Sequence, residues 1–215
     1  MGKYSRNSER VEREWYPTPF AAVPPLVAHL RGDRIVTFAE PCCGDGRLIR
    51  HLGSFGFACV HHGDLATGQD ARDETVFGGA DAIVTNPPYD RSRRLLRELI
   101  RHFLNYGKPV WLLLEFSWAR TARAAPLQGF CSDIVPVPRL VFQDDTDTCG
   151  KVDHAWFRYD PAHRRGTKVH PAATFRLRTG ERHCHGCGKP FRAKRSDART
   201  CSDPCRRRAN RRTAS

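Results

Sequence analysis

Ile35-Val-Thr-Phe-Ala-Glu-Pro-Cys-Cys-Gly-Asp-Gly46 is the stretch whose reading decides the fold. An apolar run of strand length stops at an acid, turns through a Gly-x-Gly, and passes into Arg47-Leu-Ile-Arg-His-Leu52, which has helical spacing. Glycines in such a turn let the backbone approach a bound ligand closely. A dinucleotide fingerprint would require Gly or Ala three residues after Gly46, where this chain has Ile49. That disfavours a pyrophosphate site of the dehydrogenase kind and leaves a smaller nucleoside ligand as the better fit.

Working outward, the same unit recurs. Ala58-Cys-Val-His-His-Gly-Asp64 reads as the next strand, and Asp81-Ala-Ile-Val-Thr-Asn-Pro-Pro-Tyr89 is again a short apolar run closed by polar residues, so strands are expected at about 35–40, 57–63 and 82–85. Pro109-Val-Trp-Leu-Leu-Leu-Glu115 is apolar throughout, as a parallel strand buried on both faces should be. Between these runs, Ser92 to Leu104 has apolar residues at 95, 96, 99, 100, 103 and 104, the stripe of an amphipathic helix. Phe20 to Leu30 reads as a helical lead-in broken at Pro24-Pro25. Strand and helix alternate, which predicts an α/β chain built on a parallel sheet with helices on both faces. Residues 116–150 are less regular and, by elimination, are expected to line the substrate side of the sheet's carboxyl edge.

The strand ends bear the chemistry. Glu40 can meet a cationic amino group, and Asp64, ending the next strand, is placed to take a ribose diol. Asn86-Pro-Pro-Tyr89 suits a planar amine. The lone pair of an exocyclic amine on a nucleobase is delocalised into the ring, so an enzyme that alkylates it must accept hydrogen bonds from both N–H groups and hold the ring still. The Asn86 amide and the Pro87 carbonyl can accept, Tyr89 can stack, and Pro87 and Pro88 stiffen the loop.

With these residues the chain resembles the class I S-adenosylmethionine-dependent amino-methyltransferases, and most of all the adenine-specific DNA methyltransferases. Asn86-Pro-Pro-Tyr89 matches their catalytic motif, and Glu40-Pro41-Cys-Cys-Gly44-Asp-Gly46 matches their cofactor loop. Asp64 matches the ribose acid, and Gln69-Asp70 resembles the place where a carboxylate contacts the cofactor's adenine ring. Trp15-Tyr16-Pro-Thr18-Pro-Phe20 resembles the segment that closes over the methionine end. The resemblance spans about residues 12–160, with Asp153-His-Ala-Trp-Phe-Arg-Tyr159 as a last, antiparallel strand. It implies a Rossmann-like methyltransferase sheet, S-adenosylmethionine as cofactor, and methylation of the 6-amino group of adenine in DNA. The same motif occurs in RNA base methyltransferases and in protein glutamine methyltransferases, whose target amines pose the same problem. A non-catalytic DNA-binding adaptor on this fold is a further alternative, against which the intact set Glu40, Asp64 and Asn86 argues.

Composition sets the remaining bounds. The 215 residues, 40% of them hydrophobic, are enough for one α/β domain over 1–160, a linker over 161–180 and a small module over 181–215. The net charge is +13, and the last segment holds eleven Lys and Arg against three acids, as expected of a chain that meets a polyanion. Arg91 and Arg93, close to the Asn-Pro-Pro-Tyr loop, are candidates for phosphate contact. No apolar run approaches the ~20 residues that cross a bilayer, and the amino terminus is polar, so no membrane contact is expected and the chain is read as a cytoplasmic monomer. Nine cysteines in that compartment suggest metal rather than disulfides. Cys184-x2-Cys187 and Cys201-x3-Cys205, thirteen residues apart, have the spacing of a structural zinc site, in a segment with almost no apolar core of its own. Cys42, Cys43, Cys59, Cys131 and Cys149 lack such spacing and are expected to be small buried hydrophobes.

Overall fold

The computed structural model describes residues 16–89, 92–140, 142, 152–172, 181–184, 190–193 and 198–212. In chain order these form α1 (Val23–Gly32), β1 (Thr37–Glu40), α2 (Arg47–Gly53), β2 (Ala58–His62), β3 (Ala82–Thr85), α3 (Arg94–Leu104), β4 (Val110–Glu115), β5 (Cys131–Pro136), β6 (His154–Tyr159), β7 (Lys168–Val169), β8 (Glu181–His183), β9 (Pro190–Arg192) and α4 (Asp203–Arg212), with short 3-10 turns between several of them. The first seven strands make one sheet in the order β2-β1-β3-β4-β6-β5-β7. β1 runs parallel to β2 and β3, β3 to β4, and β5 to β7, while β6 is antiparallel to both its neighbours. The expected mostly parallel sheet with an antiparallel strand near 153–159 is therefore present.

Side-chain alternation explains why β4 reads as an unbroken apolar run. Val110, Leu112 and Leu114 point to the side covered by α3 through Leu96, Leu99, Ile100 and Phe103. Trp111 and Leu113 point to the other, covered by α1 and α2 through Leu26, Leu30, Leu48 and Leu52. At the amino edge, Asp81 fixes β3 against β1 by accepting from the N–H groups of Val36 (3.0 Å) and Thr37 (2.8 Å) and from the Thr37 hydroxyl (2.9 Å). These donors hold its carboxyl below the usual carboxylate range. Chain direction across the sheet reverses between β1 and β3: β1 leads outward to β2, whereas β3 leads to β4 on the opposite side. Such a reversal opens a crevice at the carboxyl ends of the two strands, where open α/β sheets place their ligands.

Three features differ from the sequence reading. Pro24 and Pro25 do not break the lead-in helix; they lie in the first turn of α1, where the missing N–H groups would have had no partner within the helix anyway. Residues 116–150, expected to line a substrate edge, give β5 and the buried Trp118, Leu127 and Ile134 to the core, and none of the described ones lines the cavity at the strand ends. The stretch Cys131-Ser-Asp-Ile-Val-Pro136 alternates in neither sense, so no strand period announces it. Finally, the segment read as a linker is attached to the sheet over its first part. Lys168–Val169 pairs with β5, the Thr167 hydroxyl donates to the Cys131 carbonyl at 2.8 Å, and His170 Nε2 lies 2.7 Å from Asp133 Oδ1. Both residues of β7 are exposed, so pairing there is a matter of backbone alone and leaves no side-chain pattern to read.

Candidate functional site

The crevice at the carboxyl ends of β1, β2 and β3 holds a cavity of about 970 Å3. Of the residues nominated from the sequence, Tyr16, Thr18, Glu40, Pro41, Gly44, Asp64, Asp70, Asn86, Pro87, Pro88 and Tyr89 all line it. Gly46 does not; it shapes the loop from behind, as the left-handed cap (φ +68°) from which α2 starts. Gly44 is also left-handed, at φ +52°. Two such residues in three are what the Gly-x-Gly turn needs, since a side chain is disfavoured in that conformation.

β1 delivers Glu40 to the cavity wall, and the Glu40 carbonyl accepts from the Gly63 N–H at 3.2 Å, which ties the two strand ends together. Asp64 completes the tie with its side chain. One oxygen accepts from the Gly44 N–H and the other from the Ala66 N–H, each at 2.8 Å. The acid nominated for a ribose is thus also the brace of the glycine loop, and each of its oxygens keeps a further lone pair able to accept. Glu40 is buried, and its Oε2 has no hydrogen-bond partner among the described residues. Burial first, then the nearby charges of Asp45 and Asp64, raise its carboxyl well above the usual carboxylate range. A cation brought into the cavity would reverse that balance by favouring the ionised form. Cys42 and Cys43 form part of this wall, which corrects the expectation that they are ordinary core residues.

On the other side of the crevice, β3 leads straight into Asn86-Pro87-Pro88-Tyr89. The Asn86 Nδ2 donates to the Tyr16 carbonyl at 3.0 Å, so the segment ahead of α1 fixes the orientation of the amide. Its Oδ1 is buried and has no partner among the described residues. That is an acceptor held ready on a rigid strand end. Tyr89 is fixed as firmly: its hydroxyl donates to the Leu113 carbonyl of β4, and the Arg93 guanidinium lies 5.3 Å from its ring centre. Arg93 is itself held by an ion pair to Glu115 at the end of β4. Arg93 thus packs over the tyrosine ring and pairs with Glu115, two partners that its nomination for phosphate contact did not include, and its left-handed backbone (φ +57°) turns the chain into α3. Arg91 lies outside the described residues.

Asp70 reaches the cavity with a partner that the sequence reading missed. Arg72 grips it through both Nε and Nη2, at 3.0 and 2.5 Å, and donates its own N–H at 2.9 Å. The side chain and N–H of Arg72 pull the Asp70 carboxyl down to about 2. An acid followed two residues later by arginine is the only signal in the sequence for this pair. Far along the chain, Cys184, Cys201 and Cys205 converge, with Cys201 exposed and the other two buried; Cys187 and Cys149 lie outside the described residues.

No family model matches the chain, and no curated protein matches it. Solved structures similar to it include a protein from Listeria monocytogenes described as a class I S-adenosylmethionine-dependent methyltransferase, with a TM-score of 0.49 at 13% identity over 69% of this chain and 64% of the other. The M protein of the type I restriction enzyme EcoKI gives 0.44 at 12% identity, over 74% of this chain and 47% of its own. A protein described with the conversion of a disulfide bond into a thioacetal group during echinomycin biosynthesis gives 0.38 at 18% identity, over 68% and 87%. The chain thus spans 64% and 47% of the length of the first two. These are partial likenesses at low identity, and they assign neither an activity nor a substrate to this chain.

Proposed function

We propose that this chain transfers a methyl group from S-adenosylmethionine to the 6-amino group of adenine in DNA. The observation that carries the reading is the Asn86 amide: fixed through Nδ2 by Tyr16, with a buried, unpartnered Oδ1, on the wall of the same cavity as Glu40 and Asp64. A desolvated acceptor costs free energy unless a donor arrives. An amine N–H is a donor of the right kind, and the sequence resemblance assigns this position that task.

The donor set suits the cofactor. Glu40, with one orphaned oxygen, would hold the ammonium of the methionine part; Asp64 would take the ribose; Asp70 would face the adenine; and Tyr16 and Thr18 would close the methionine end. When bound, S-adenosylmethionine supplies an electrophilic methyl group on sulfonium. The residues of the chain do the positioning. Asn86 Oδ1 and the Pro87 carbonyl accept the two amine N–H bonds, which draws the nitrogen lone pair away from the ring. Tyr89, anchored by Leu113 and Arg93, offers a fixed aromatic face to a base turned out of its helix. The amine sheds its proton after attack, so no side chain of tuned basicity is needed and orientation accounts for most of the rate.

DNA as the partner rests on the charge of +13 and its concentration in the last segment. Arg199, Arg206 and Arg207 are exposed there. The test is to incubate the chain with methyl-labelled cofactor and separate pools of DNA, RNA and protein, then identify the labelled nucleoside or residue. Label in 6-methyladenine of DNA is the expected result; label only in RNA or in a glutamine amide would reassign the substrate, and none in any pool would refute the activity.

A further inference from the structure

The segment around β8, β9 and α4 has little to hold it folded. The hairpin pairs three residues with three, Glu181 to Arg192, Arg182 to Phe191 and His183 to Pro190, and a lone two-stranded ribbon is at best marginal in water. α4 has ten residues, Asp-Pro-Cys-Arg-Arg-Arg-Ala-Asn-Arg-Arg, too short and too uniformly charged to persist alone. Among the described side chains of this segment, the buried ones are Cys184 and Cys205, at 2% and 9% exposure. Its centre is sulfur where a folded unit would ordinarily have hydrocarbon.

The geometry of those sulfurs is specific. The Sγ atoms of Cys184, Cys201 and Cys205 all lie within 4.8 Å of one another, and Cys201 and Cys205 are 3.5 Å apart. Four thiolates at about 2.3 Å around a tetrahedral zinc would stand about 3.8 Å from each other. The Cys201 N–H also donates to Cys184 Sγ at 3.2 Å, an interaction that stabilises sulfur as thiolate and orients it toward a metal. Each ligand comes from a different place: Cys184 directly after β8, Cys201 ahead of α4, and Cys205 in the first turn of α4. One ion at this point would therefore close the hairpin onto the helix.

We propose that Cys184, Cys201 and Cys205 bind one zinc ion as thiolates, and that this ion holds the segment in its fold. Each cysteine that binds gives its thiol proton to solvent as the zinc–sulfur bond forms, so no oxidant or reductant is involved. The inference is independent of the methyl-transfer reading, because it uses none of the cavity residues.

The experiment is metal analysis of the full chain after gel filtration against EDTA, alongside Cys201→Ala, Cys205→Ala, Cys201→His and the remote control Cys59→Ser. One zinc per chain is expected in the unaltered protein and in Cys59→Ser, with loss to background in both alanine variants and retention in Cys201→His, whose imidazole can still ligate. Cobalt exchanged into the site should show thiolate-to-metal charge-transfer absorption. Removing the metal with a stronger chelator should open the arginines of α4 to trypsin. Absence of zinc with all three thiols reacting with an alkylating reagent, a Cys201–Cys205 disulfide in the purified chain, or full zinc in both alanine variants would each overturn the proposal.

Discussion

Replacing Asn86 with alanine should abolish methyl transfer and yet leave the fold as stable as before, or more so. The amide makes one neutral hydrogen bond, Nδ2 to the Tyr16 carbonyl at 3.0 Å. Losing it costs about 0.5–1.5 kcal/mol. The same substitution removes Oδ1, a buried acceptor without a partner. Relief from an unpaired desolvated acceptor is worth about 1–3 kcal/mol. Because the side chain lines a cavity of about 970 Å3, its truncation opens no new enclosed void and the usual large-to-small penalty is small. The sum runs from a loss of about 0.5 to a gain of about 2.5 kcal/mol. Urea unfolding followed by the fluorescence of the buried Trp111, Trp118 and Trp156 measures it through the shift in midpoint at constant slope. A loss of more than about 2 kcal/mol would refute the reasoning, since it would mean that Oδ1 is already satisfied within the protein and is no waiting acceptor.

Asp64→Ala should weaken S-adenosylmethionine binding by about 1.5–3 kcal/mol through removal of a charged acceptor, and Asp64→Asn by less because one of the two backbone hydrogen bonds at 2.8 Å survives; unchanged affinity by calorimetry in Asp64→Ala would place the ribose acid elsewhere. Glu40 is raised above the usual carboxylate range by burial, so its neutral form stabilises the fold at low pH and that contribution is lost as pH rises through the raised value. Glu40→Gln should flatten this loss, which runs from the ordinary carboxylate range up to the raised value. At a pH below that raised value, cofactor binding should release a proton from Glu40, seen as a dependence of binding heat on the buffer's ionisation enthalpy that is absent in Glu40→Gln; equal dependence in both proteins would contradict the role given to Glu40. Removal of residues 181–215 should weaken DNA binding without changing site preference and reduce the salt slope by about 0.9 log units for each phosphate that is no longer neutralised; an altered target sequence with the same slope would show that this segment reads bases.

The sequence made most of the site legible because strand ends announce themselves. Strand-length runs that stop at Glu40, Asp64 and Asn86 fix three loops at one edge of a parallel sheet, and the cavity lies where those loops meet. What stayed hidden is what depends on pairing across distance. β5 lacks a strand period, β7 pairs through backbone alone, and Pro24-Pro25 punctuates a helix start as readily as a break. Arg93 reads locally as a cation open to solvent beside the catalytic motif, but its ion pair with Glu115 joins residues twenty-two apart in the chain, and nothing local predicts that. The double duty of Asp64 as cavity acid and loop brace likewise emerges only once Gly44 and Asp64 are seen side by side.

The most direct test of the central claim is mass spectrometry of nucleosides from DNA of cells that express this chain, beside cells that express Asn86→Ala at equal level. The account predicts 6-methyladenine above background with the unaltered chain and none with the variant. Methylated adenine in both samples, or in neither, would contradict it.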